Sequence, residues 1–101
     1  MTISKTQNGT NLEIALEGRL DTMTAPELEA ELKASMPGAD SLTLDFSKLS
    51  YISSAGLRVL LSAHKAMSRK GGMKVTHVND IVNEVFEVTG FSDILTIDCG
   101  V

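Results

Sequence analysis

Leu12, Ile14 and Leu16 alternate with Glu13, Ala15 and Glu17, and from there the chain switches repeatedly between a period of two and a helical period. An apolar/polar split at period two is the mark of a half-buried strand. Upstream, Ile3 opens a short strand-like stretch and Asn8-Gly9 is a strong turn signal, so a β-hairpin is expected to start the fold. Thr24 followed three residues later by Glu27 has the form of a capping box, and Pro26 suits a first helical turn. Leu28, Leu32 and Met36 then recur at helical spacing until the Pro37-Gly38-Ala39-Asp40 break.

The same alternation repeats twice more. Ser41–Phe46 reads as a strand with Leu42, Leu44 and Phe46 on one face. A helix from about Ser54 turns Leu57, Leu60, Leu61 and Met67 inward, and ends in Arg69 and Lys70 before Gly71-Gly72. Met73–Val78 is the next strand. Asn79 or Asp80 caps a third helix with Val82, Val85 and Phe86 as its stripe and Gly90 as its stop, and Asp93–Asp98 is a last short strand. The order β-β-α-β-α-β-α-β requires crossover connections. It predicts an α/β class with a mixed sheet and helices packed mainly on one face. With 101 residues and no repeat or linker, residues 1–101 are expected to form a single domain.

Composition narrows the function. Lys and Arg are spread along a chain of net charge −4, which disfavours direct nucleic-acid binding. Two His and one Cys do not make a structural zinc site, and Cys99 is expected to be an inert thiol. The glycines form no dinucleotide or phosphate-loop motif, so no cofactor is expected. There is neither a signal-peptide pattern nor an apolar run of the ~20 residues a membrane span needs, so a cytoplasmic location without membrane contact is expected.

Chemistry concentrates at Ser53-Ser54-Ala55-Gly56, where a strand gives way to a helix. One serine suffices as an N-cap, worth about 1 kcal/mol. The free N–H groups of a helix start would also accommodate a phosphoryl group. A nucleophilic serine would need a base. His64, ten residues along the helix, lies about 15 Å away, which leaves only His77 and makes a small serine hydrolase the remote alternative. Glu17–Asp21, "EGRLD", reads on its own as a strand end and solvated loop.

Together "EGRLD", "DFSKLSYISSAGLRVLL", "GG" before "MKVTHV", and "VFEVTGFSDIL" resemble the STAS domain family, in particular stand-alone bacterial anti-sigma factor antagonists. The resemblance covers about Ile3 to Ile97 and agrees with the element order above. It implies a non-enzymatic partner switch. The unphosphorylated protein binds an anti-sigma factor that is also an ATP-using serine-protein kinase, which frees the sigma factor. Phosphorylation ends the complex, and a serine phosphatase resets it. Aligned on Gly56-Leu57, the acceptor falls on Ser54, with Ser53 the alternative. The implied partner-binding set is Asp21, Thr22, Ser53, Ser54, Gly56 and Arg58. Three positions depart from the best-known members: Ser53 and Ala55 flank the acceptor where those carry Asp and Ser or Thr, and Arg58 stands where Gly is common. The same fold serving a non-sigma output is the alternative function.

Overall fold

The computed structural model describes residues 1–98. Strands β1 (Thr2–Asn8) and β2 (Asn11–Leu20) form the expected hairpin, and Gly9 takes the left-handed conformation at its tip (φ 62°). Helix α1 (Ala25–Ser35) leads through a 3-10 turn into β3 (Ser41–Ile52). Helix α2 (Ser54–Met67), β4 (Met73–Thr76), α3 (Asp80–Thr89) and β5 (Thr96–Asp98) complete the order. The last strand is shorter than its sequence pattern suggests, because Phe91–Asp93 forms a 3-10 turn. Cys99 lies outside the described residues.

The five strands lie side by side in chain order, β1 antiparallel and the other four parallel. Every parallel crossover steps in the same direction, so right-handed connections put all three helices on one face. Burial agrees. Leu12, Ile14, Leu16, Leu42, Leu44, Phe46 and Val75 are buried beneath Leu28, Leu32, Leu60, Ala63, Met67, Val82 and Phe86 from the helices. Phe46 and Phe86 stack with ring centroids 6.5 Å apart, tying α3 to the central strand. Leu61, expected inside, is only half-buried. Among the described residues no helix is long and apolar enough to cross a membrane.

Strand β3 positions everything that follows. Its sequence pattern suggests an end at Phe46, yet it continues to Ile52. Two register shifts against β2, between Ala15 and Glu17 and between Gly18 and Arg19, each place an extra residue on β3. The buried positions therefore run 42, 44, 46 and then 49 and 52, which breaks the period of two while keeping the apolar side chains inward. β4 pairs only with Leu42–Asp45, so the rest of β3 projects past it and delivers Ser53 and Ser54 to the carboxyl end of the sheet.

Asn79 anchors the other side of this extension. Its Oδ1 accepts from the Val82 N–H at 2.8 Å as the N-cap of α3, and its Nδ2 donates to the Leu49 carbonyl at 2.8 Å. Losing both a cap and a tether, Asn79→Ala is expected to cost about 1–2 kcal/mol. Urea unfolding checks this; an unchanged midpoint would show that neither bond contributes.

Candidate functional site

Three chain segments meet at the carboxyl end of the sheet. Ser53 N–H continues the β2–β3 ladder by donating to the Leu20 carbonyl at 2.8 Å. Gly56, in the first turn of α2, is buried against these strands. A Cβ there would lie 2.7 Å from Leu20 Cγ and 2.9 Å from Ile52 Cγ1, both on fully buried side chains. Glycine is thus what lets the helix start approach so closely. Gly56→Ala is expected to destabilise by about 1–3 kcal/mol through overpacking, despite alanine's better helix propensity. A thermal melt equal to or above that of the parent would overturn this assignment.

Ser54 is exposed as the first residue of α2, and Arg58 is exposed one turn further along. Ser53 occupies the N-cap position with extended backbone (φ −103°, ψ 176°), but its hydroxyl makes no capping bond and is buried without a hydrogen-bond partner. The capping expected of this serine pair is therefore absent, and α2 begins with free N–H groups and no acidic residue in its first turn.

The β2–α1 turn borders this helix start. Thr24 and Glu27 do not form the expected capping box. Instead the Asp21 Oδ1 accepts from the Met23 and Thr24 N–H groups at 3.0 and 3.2 Å, while Thr24 Oγ1 accepts from Asp21 N–H at 2.8 Å and donates to the Arg19 carbonyl at 2.7 Å. Asp21 closes the box three residues early because a carboxylate accepts two N–H groups at once. Partial desolvation would raise the Asp21 pKa; those N–H groups, the Thr24 hydroxyl and the Arg19 guanidinium outweigh it and hold the carboxyl below its ordinary value. A depressed carboxyl contributes stability above its unfolded pKa, near 4, and loses it as pH falls through the folded value. The stability gap between the parent and Asp21→Asn is accordingly expected to narrow between pH 7 and pH 3. A constant gap in urea midpoints would mean the ionised form contributes nothing.

The implied site residues thus separate. Ser54, Arg58 and Thr22 are exposed on this rim, Asp21 is half-buried and occupied in shaping the turn, and Ser53 and Gly56 face inward. Two exposed apolar residues share the rim without having been singled out in the sequence. Met23 is 82% exposed at the tip of the Asp21 turn, and Tyr51 lies on β3 with the Arg19 guanidinium 5.0 Å from its ring centroid. The only sequence signal for Met23 is an apolar residue between two threonines in a loop.

Neither histidine reaches Ser54. His64 is three turns along α2. His77, left-handed at φ 56°, lies 3.3 Å from the Asp45 Oδ1, and Asp45 precedes Ser53 by about 25 Å of strand. A serine–histidine hydrolase pair is not built here.

The chain is a small α/β domain with an exposed serine on an uncapped helix start at the carboxyl rim of a mixed five-stranded sheet. The family model described as "Mlab, STAS domain" matches residues 3–96, and the chain belongs to the STAS domain family. The candidate anti-sigma factor antagonist BtrV of Bordetella bronchiseptica is 39% identical over 84 residues, 81% of this chain and 72% of that protein. An anti-sigma factor antagonist from Mycobacterium paratuberculosis shares the fold with a TM-score of 0.88 at 20% identity, over 96% of this chain and 84% of the other. The Bacillus cell fate determinant SpoIIAA, solved in its phosphorylated form, shares it with a TM-score of 0.74 at 16% identity, over 95% and 90% of the two chains.

Proposed function

We propose that this protein is an anti-sigma factor antagonist that works by partner switching, with Ser54 as the switch. The observation that carries the reading is the placement of Ser54: exposed, first in α2, on a helix start that no side chain caps, with Arg58 exposed one turn along. In the cytoplasm the unphosphorylated rim binds an anti-sigma factor that is also a serine kinase, and the sigma factor is released. The kinase transfers the γ-phosphoryl group of ATP to Ser54 Oγ; the bond to ADP breaks, the Oγ–P bond forms and the hydroxyl proton leaves. A serine phosphatase hydrolyses the phosphoserine and restores the binding form.

The physics of the switch is local. Phosphate adds about −1.5 to −2 charges at neutral pH, and the helix start accepts them without unfolding. Against a packed partner the same group must be desolvated, and a penalty of about 3 kcal/mol weakens binding more than a hundredfold. Homology to antagonists and the existence of a phosphorylated form of a protein with this fold support this reading.

The test is a pull-down from lysate of the native host with Ser54→Ala and Ser54→Asp baits, partners being identified by mass spectrometry. Ser54→Ala is expected to retain an ATP-binding anti-sigma factor and Ser54→Asp to lose it. Equal capture by both baits would rule out Ser54 as the switch and direct attention to Ser53. Differential capture of a partner unrelated to sigma factors would assign the same switch to another output.

A further inference from the structure

Cations are spread along this chain, but carboxylates are not. Residues 46–79 contain no Asp or Glu, although they hold Lys48, Arg58, Lys65, Arg69, Lys70 and Lys74. The fold engages two of these: Lys48 lies 3.8 Å from Glu17, and Lys70 donates to the Met36 and Ala39 carbonyls at 2.9 Å. Elsewhere Lys5, Arg19 and Lys33 pair with Glu31, Asp21 and Glu29. Among the described residues the basic side chains without a hydrogen bond, ion pair or ring contact are Arg58, Lys65, Arg69 and Lys74. Three of the four sit on α2 or in the turn that ends it.

The helix sorts its faces cleanly. Gly56, Leu57, Val59, Leu60, Ala63 and Met67 are buried, and Ser54, Arg58 and Lys65 are exposed on the opposite side, within about 40° of one another at 3.6 residues per turn. Ser54 and Arg58 are an i,i+4 pair with Cβ atoms about 6 Å apart, and an anion N-terminal to a cation is the favourable orientation. Nothing on α2 competes for this guanidinium. Of the carboxylates on the adjoining β2–α1 turn and α1, Asp21 is held by Met23, Thr24 and Arg19, Glu29 by Lys33 and Glu31 by Lys5, and among the described residues Glu27 makes no ion pair.

We propose that Arg58 is the residue that holds the phosphate of phosphorylated Ser54, so that phosphorylation withdraws this guanidinium from the basic face of α2. The inference rests on the reading of Ser54 as the phosphoacceptor. Before modification the face presents two unpaired cations, Arg58 and Lys65, to a partner, with Arg69 in the turn beyond. Afterwards the one nearest the rim is paired in the bidentate geometry that guanidinium and phosphate favour. The partner loses a positive contact as well as meeting a new negative one.

The test needs neither kinase nor partner. Phosphoserine is placed at position 54 during translation, and the second ionisation of the phosphate is followed by 31P NMR at low salt in the parent, Arg58→Ala, Arg58→Lys and Lys65→Ala. A neighbouring cation favours the dianion, so Arg58→Ala is expected to raise the phosphate pKa by about 0.3 of a unit or more. Arg58→Lys should recover part of that shift, and Lys65→Ala, about three turns from Ser54, should leave the value at that of the parent. In 1 M salt, where the Debye length is about 3 Å, the difference should shrink. The proposal is overturned if Arg58→Ala titrates like the parent, or if Lys65→Ala shifts the phosphate equally, which would mark a general field and not a pair. If Ser54 is not the physiological switch, that appears separately, as equal capture by the two baits.

Discussion

Close approach of the α2 start to Leu20 and Ile52 is the contact on which the rim depends. Both side chains are buried, and glycine at position 56 leaves the space in which the helix backbone meets them. With Ser53 bonded to the Leu20 carbonyl, the ends of β2 and β3 and the first turn of α2 become one rigid junction. The chain leaving Leu20 must then turn sharply to begin α1, and Asp21 supplies the acceptors that this turn requires. Exposure of Ser54, Thr22 and Met23 follows from the same junction. Each stands where the backbone is held from behind and no neighbouring element covers it.

The length of β3 is the second half of that geometry. A strand that stopped at Phe46 would start α2 level with the end of β4 and bury its first turn among loops. The two extra residues accommodated opposite β2 let the strand run on while Leu49 and Ile52 stay inside, and Asn79 satisfies the Leu49 carbonyl where β4 no longer can. The bulges thus have a function beyond irregularity: they extend the support for the serine pair and preserve the core beneath it.

These same features explain what could be read beforehand. β2, α3 with its Asn79 cap and Gly90 stop, and the alternation of strands and helices follow clean periods, so the α/β order was legible. The extension of β3 was not, because bulges replace the period of two with steps of three. Thr24 has the pattern of a cap, but Asp21 lies three residues before it; the pattern fits both, and only the chain path at the end of β2 decides that the carboxylate wins. Ser54 stood out through its motif and its resemblance to a family, whereas Ser53, equally good as a cap on paper, points its hydroxyl inward and caps nothing. Met23 and Tyr51 are not legible in the sequence, because single apolar residues in loops and strands carry no pattern until the fold shows them uncovered.

Net charge illustrates a similar limit. A total of −4 argues against a phosphate-backbone ligand, and that argument stands for the molecule as a whole. It says nothing about how charge is arranged, and here the 34-residue stretch without a carboxylate contains the whole of α2, whose exposed face is left with cations and no acid. At physiological ionic strength fields reach about 8 Å, so a partner docking on α2 responds to Arg58, Lys65 and Ser54 and not to distant glutamates on β2. A switch that adds two negative charges to a uniformly acidic surface would change little. If Ser54 takes the phosphate as proposed, the same two charges at the head of an unpaired basic stripe would alter the sign of what the partner meets first, and the acid-free segment and the serine would then belong to one device.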